Sequence, residues 1–372
     1  MKKRARELGI KFDGVTGKYN AITDVKGVEV GYSTIIKGTP DDYDRTGSGF
    51  ARTGVTAILP RGKKRSVVYA GRHDLNGNGE LTGTHWMDDS GFIHGPIMIT
   101  NTNSVGIVRD TTTKWMLQNN FYHPLVFEGQ EVEGSGYFYP VVGETYDGIL
   151  NDTNGFHVKE EHVMEALNNA HSGRIEEGNV GGGTGMICHE FKGGTGTSSR
   201  KLSEEEGGYT VGVLVQANHG ARKWFNIRGI DMGEKIKGAD PEYKRLKLRP
   251  GTGSIIVVIA TDAPVNPIQL SKMCKRVPIG IGKLGSGYEN GSGDIFVAFS
   301  TANENSFTHK TSNAEVLGDY MMDPIYKAVA DAVEEAILNA ICVGETMEGL
   351  YHNKIYAMPQ EQVEEILRKY DR

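Results

Sequence analysis

Residues 249–267 read RPGTGSIIVVIATDAPVNP. Isoleucine, valine and alanine fill positions 255–260, and turn residues bound the run. That pattern predicts a β-strand buried on both faces, as in a layered α/β protein. The front of the strand is unusual. Gly251-Thr252-Gly253 leads straight into Ser254, so a hydroxyl stands at the mouth of a core strand. A plain turn accounts for this. So does a chain that cuts itself before Ser254. A serine hydroxyl is a weak nucleophile without a neighbouring base. A freed α-amine, with an ordinary pKa of about 7.7 to 8.0, supplies one. Glycine at 251 and 253 would let the backbone take the strained shape needed for Ser254 to attack its own preceding carbonyl.

Other segments repeat the strand pattern. They are VTAILP (55–60), GPIMIT (95–100), YTVGVLVQAN (209–218) and DIFVAFST (294–301). Helices are expected between them. Asp323-Pro324 reads as an N-cap and first turn, followed by Ile325, Val329, Val333, Ile337 and Ile341 every four residues, with Gly344 at the stop. Asn266-Pro267 opens another helix, running to about residue 276. The segment after Ser104, KEEHVMEALNNA (159–170) and the C-terminal PQEQVEEILRKY complete the set. Apolar strands with amphipathic helices imply sheet packed on sheet with helices outside. No linker or fixed-period repeat divides the chain, so one domain over residues 1–372 is expected.

Bulk properties narrow the function. The 372 residues carry a net charge of −6, with 38% hydrophobic and 24% charged residues. This describes a globular protein with no electrostatic case for nucleic acid or an anionic membrane. No run of 18 apolar residues occurs, and the basic start MKKRARELGIKFDG lacks the apolar segment of a secretory signal. Cys188, Cys274 and Cys342 are odd in number and far apart, which argues against disulfides and a zinc set and for the cytoplasm. Fifty glycines are about twice the usual share of roughly 7%. They cluster in NVGGGTG and KGGTGTSS, read as structural turns near a site. Neither matches a phosphate-binding loop, so no nucleotide or other cofactor is implied.

Asp74, Asn76, Asn78 and Gly79 imitate a calcium loop, but His85 stands where a bidentate glutamate belongs. We read a Gly/Asn turn and no metal. The eleven histidines show no zinc-peptidase pair. His219, after Asn218, reads as an ordinary core or surface histidine. There is no G-x-S-x-G elbow. A hydrolase built on this chain would not take its base from a conventional histidine.

Read together, several segments carry a resemblance. GTGSIIVVIATDAP (251–264), YNAITDVKGVEVGY (19–32), LNGNGELTG (75–83), PIMITNTNSVG (96–106), ETYDGILND (144–152), GNVGGGTGM (178–186) and GSGDIFVAFSTAN (291–303) resemble, in order, the L-aminopeptidase/D-esterase and β-peptidyl aminopeptidase family. The resemblance implies a four-layer αββα sandwich, like the N-terminal nucleophile hydrolases with a different strand connection. It implies self-cleavage at Gly253-Ser254 into a larger part (1–253) and a smaller part (254–372) that stay together, and an assembly of such pairs. It casts Ser254 as the nucleophile and Asn218 as a donor to the oxyanion. Tyr146 would serve the same anion or the nucleophile. Ser292 and Asp294 would hold or relay a proton near the Ser254 amine, although some members have glutamate at the latter position. Glu144 would contact the free amine of a small peptide, amide or ester substrate. An acyltransferase of the ornithine acetyltransferase type is the alternative, though those enzymes usually cleave before threonine. An uncut scaffold protein is the third reading.

Overall fold

The strand that Ser254 opens lies inside a six-stranded sheet. This computed structural model describes residues 2–245, 253–308 and 310–370. Gly251 and Thr252, and with them the front of the Gly-Thr-Gly run, lie outside the described residues. Ten strands build two sheets: β1 (Glu29–Lys37), β2 (Ala51–Lys63), β3 (Val67–Gly77), β4 (Phe92–His94), β5 (Ile97–Asn101), β6 (Val141–Thr145), β7 (Gly194–Lys201), β8 (Thr210–Asn218), β9 (Gly253–Thr261) and β10 (Ser292–Ser300). One sheet has the order β1-β2-β5-β6, the other β7-β8-β9-β10-β3-β4. β9 pairs antiparallel with β8 and parallel with β10. Both of its backbone edges are therefore satisfied inside the sheet.

Helices α1 (Val105–Gln118) and α2 (Glu160–Asn168) pack on the smaller sheet. Helices α3 (Pro267–Cys274), α4 (Val277–Lys283) and α5 (Met322–Val343) belong to the layer outside the larger one. Three cores separate the four layers. Val55, Ala57 and Met98 meet Val108 and Val163. Ile58 and Ile99 meet Leu214, Ile256, Val258 and Val297 between the sheets. Val213, Val257 and Phe296 meet Val329, Val333 and Ile337 of α5. Successive β9 residues thus serve opposite cores, as a strand buried on both faces must. The four-layer αββα sandwich is the architecture expected.

Some local readings change. Asn266 does cap α3, with Oδ1 accepting from the Gln269 N–H at 2.9 Å. Helix α5 begins two residues earlier than expected, at Met322, with Met321 at the cap. Asp323 and Pro324 fall in its first turn, where a missing N–H costs nothing. KGGTGTSS is not a turn: residues 194–199 lie in buried strand β7. A Cβ on Gly196 would sit 2.0 Å from the Ala336 carbonyl oxygen of α5. That glycine lets helix and sheet approach closely.

The Asp74–Gly79 segment is not a turn either: Asp74–Gly77 end strand β3, and the segment acts as a clip. Asn76 Nδ2 donates to the Asn290 carbonyl at 2.8 Å and to the Ser292 carbonyl, and Asn78 Nδ2 to the Gly291 carbonyl at 2.8 Å. Asp74 pairs with Arg72 at 2.7 Å. These side chains fix the entry to β10.

Candidate active site

Strand ends of both sheets meet around one cavity of about 540 Å³, whose lining includes Thr102, Glu144, Tyr146, Asn218, Gly253 and Ser254. Small-ligand sites span about 300–1,000 Å³. Asn218 ends β8 and lies opposite Ser254, the second residue of β9. Directly opposed residues of an antiparallel pair share a face. Both side chains therefore project on the Ile256 side, toward the smaller sheet. From that sheet β6 brings Glu144, and Tyr146 follows its end. Five of the seven residues singled out in the sequence thus meet in one place.

Asn218 is buried and held at both ends. Its Oδ1 accepts from the Ile187 N–H at 2.8 Å, and its Nδ2 donates to the Tyr146 carbonyl at 3.0 Å. An amide nitrogen has a second hydrogen to give. Two fixed contacts orient that second donor beforehand, as anion stabilisation requires.

Glu144 is buried. Its Oε1 accepts from the Glu80 N–H at 3.0 Å, and Oε2 accepts from the Thr102 hydroxyl. Burial raises its pKa, and these two hydrogen bonds oppose the rise. Thr102 had no signal of its own in the sequence. It stands just past β5, whose Thr100 is the register partner of Glu144. Tyr146 is 41% exposed and curls over Gly148, where a Cβ would come within 2.3 Å of Oη.

Gly253 is extended, outside the left-handed region, so the strained backbone expected there is absent. Its smallness has another cause: a Cβ would sit 2.1 Å from the Asn218 carbonyl oxygen.

Ser292 and Asp294 are placed differently. In the parallel register Ser292 pairs with Gly253 and Asp294 with Ile255. By alternation they share the Phe296 face, toward the helices. The pair is thus level with the Gly253–Ser254 peptide but on the other side of the sheet from the Ser254 side chain. Ser292 Oγ donates to Asp294 Oδ1 at 2.6 Å, and both residues are buried. Burial is the main reason the Asp294 pKa rises to about 6, against the lowering effect of the Ser292 bond.

On that same side of the sheet, Cys188, His189 and His219 come together, all buried. His219 is the core histidine expected. The cluster was hidden because about thirty residues separate its members, and a strand end and a hairpin reunite them. All three cysteines are free and buried. Among the described residues, no helix is long and apolar enough to cross a membrane.

Comparison with known proteins gives a consistent picture. The model of Peptidase family S58 matches residues 20–355. Beta-peptidyl aminopeptidase BapA of Sphingosinicella microcystinivorans is 47% identical over 382 residues, covering 99% of this chain and 93% of that protein. The solved structure of the L-aminopeptidase D-Ala-esterase/amidase from Ochrobactrum anthropi superposes with a TM-score of 0.89 at 45% identity, covering 100% of this chain and 99% of that one. It is described as a prototype for the serine aminopeptidases and a new variant among the Ntn hydrolase fold. A Burkholderia sp. beta-aminopeptidase superposes at 0.84, with 41% identity and 99% of each chain covered.

Proposed function

Because the chain belongs to peptidase family S58 and is a hydrolase of the aminopeptidase kind, we propose that it cuts its own Gly253–Ser254 bond and then removes N-terminal residues from short peptides, amides or esters through an acyl-enzyme on Ser254. The acyltransferase alternative finds no support in these relatives. The observation that carries the reading is the facing pair Ser254 and Asn218 in a cavity that also holds the buried Glu144.

In the first reaction, Ser254 Oγ attacks the Gly253 carbonyl carbon as its hydroxyl proton passes to water, the C–N bond breaks, and the acyl group moves to oxygen. Water hydrolyses that ester and leaves a carboxylate on Gly253 and a free amine on Ser254. The leaving nitrogen must gain a proton. The Ser292–Asp294 pair is level with this peptide and supports the role of proton donor. An acid with a pKa of about 6 delivers a proton only while it holds one. Self-cleavage should therefore slow as pH rises above about 6. Asp294→Asn should slow it on the order of 10²-fold and flatten the profile. Timed mass spectra of freshly refolded precursor across pH check this, and a rate that climbs above pH 6 speaks against the role.

In the second reaction, the Ser254 amine takes the hydroxyl proton as Oγ attacks the substrate carbonyl. The Asn218 amide, and the Tyr146 hydroxyl from the cavity side, stabilise the oxyanion. The amine passes its proton to the departing nitrogen, and water releases the amino acid. Glu144 receives the substrate's ammonium group, which confines cutting to the first residue. Glu144→Gln should raise KM for free-amine substrates by about 2 kcal/mol, roughly thirtyfold, because it leaves the ammonium unpaired. An N-acetylated ester should be unaffected. Equal losses on both substrates would remove Glu144 from this role.

The two parts are held together by the sheet itself. β9 and β10 of the smaller part lie between β8 and β3 of the larger. An assembly of such pairs is what the family resemblance implies, and a reducing, cytoplasmic setting fits the three free thiols.

A further inference from the structure

The Cys188–His189–His219 cluster lies outside the cavity. Each residue offers one ligand atom, and the three atoms are within 4.8 Å of one another. Cys188 Sγ stands 3.8 Å from His219 Nδ1. A tetrahedral zinc ion, with bonds of about 2.3 Å to sulfur and 2.0–2.1 Å to nitrogen, sets those ligands roughly 3.5 Å apart. Nε2 of His189 and Nε2 of His219 are both buried without a hydrogen-bond partner. An unsatisfied buried polar atom is costly, so the His189 Nε2 calls for a partner; His219 faces Cys188 through Nδ1.

The surrounding backbone is built around the two rings. His189 and Glu190 form the two-residue turn between Cys188 and Phe191, at φ of 49° and 60°. Such turns favour Asn-Gly. Histidine is one of the side chains found in the left-handed region more often than most, so the turn accommodates it. The His189 N–H donates to the His219 carbonyl at 2.8 Å, which ties the turn to the end of β8. Arg222 Nε donates to the His189 carbonyl at 3.0 Å. A Cβ on Gly220 would lie 2.5 Å from the His189 ring, so glycine keeps that space open.

We propose that Cys188, His189 and His219 bind one borderline-soft divalent cation of the zinc class, through one thiolate and two neutral imidazoles. The thiol gives up its proton to solvent on binding. The ion would act structurally. Cys188 adjoins Ile187 and His219 adjoins Asn218, and Ile187 N–H to Asn218 Oδ1 is the bond that orients the Asn218 amide. The site shares no residue with the cavity, so its test does not depend on the peptidase reading.

The test is metal content and cobalt spectroscopy on the full chain, purified without a metal-affinity step. We expect about one zinc per chain that survives gel filtration with a chelator. Refolding in Co2+ should give tetrahedral d–d bands and a thiolate-to-cobalt charge-transfer band. Cys188→Ser should abolish the charge-transfer band and lower loading more than about tenfold, while Cys274→Ser and Cys342→Ser should keep both. Should Cys188→Ser fail to fold, Co2+ titration of wild type with the two control variants still reads the thiolate band. Wild type that shows no thiolate band after refolding in cobalt, or a band that survives Cys188→Ser, overturns the proposal. Metal lost to the chelator without a band means an adventitious ion only, and overturns it too.

Discussion

Ser254→Ala is expected to yield one denatured chain of 40.6 kDa where wild type yields two, with peptidase activity down by more than about 10³-fold. The substitution removes a single oxygen from a buried strand residue and keeps the Cβ, so the pairing of β9 with β8 and β10 should persist. Two losses then coincide. The nucleophile is gone, and the amine that would serve as base is never released. Because both depend on one atom, restoring a nucleophile should restore both in part: Ser254→Cys or Ser254→Thr should cut slowly and regain some activity. Intact mass measurement and N-terminal sequencing, which should read Ser-Ile-Ile-Val for the smaller part, decide the matter. Peptidase activity in a homogeneous, uncut wild-type chain would falsify the mechanism.

Asn218→Ala is expected to lower kcat by about 10²–10³, with KM changed little, because an oxyanion donor acts only on the transition state. Alanine also strands the Ile187 N–H and the Tyr146 carbonyl, at about 1–3 kcal/mol of stability each. Asn218→Asp separates the two effects. Protonated in this buried place, the carboxyl still accepts from Ile187 N–H and gives its one O–H to the Tyr146 carbonyl, which leaves no second donor for the oxyanion. Stability should therefore recover toward wild type more than kcat does. Pairing urea denaturation with initial rates for both variants gives the answer, and a kcat that recovers with stability would leave Asn218 a purely structural role.

Much of this was legible in the chain. The run 255–260 announced a strand buried on both faces, and the alternation of Ile256 and Val258 with Val257 and Ile259 between two cores is what that pattern encodes. Order along the chain also carried Ser254, Asn218, Glu144 and Tyr146, which one cavity gathers. What was not legible was sidedness. Ser292 and Asp294 sit a strand away from Ser254 in register, yet they project from the other face of the sheet. A motif gives spacing, not the phase of the pleat against a neighbour. Glycine misled for a related reason. Gly196 and Gly253 are small because the Ala336 and Asn218 carbonyls approach them, and a close approach leaves no mark in sequence. The buried Cys-His-His cluster was missed because its members are joined only through the end of β8 and a hairpin.

The strand order of the larger sheet has a kinetic consequence. While residues 1–372 are continuous, β9 finds its slot between β8 and β3 as part of one molecule, and folding is first order. Once the bond before Ser254 is cut, the same sheet can be rebuilt only when two polypeptides meet. If the chain is cut as proposed, recovery from denaturation would depend on concentration, and dilute enzyme that unfolds would have lost the covalent link that brought its halves together. The lifetime of the mature protein would rest on how slowly that sheet opens, a matter of kinetic barriers rather than equilibrium.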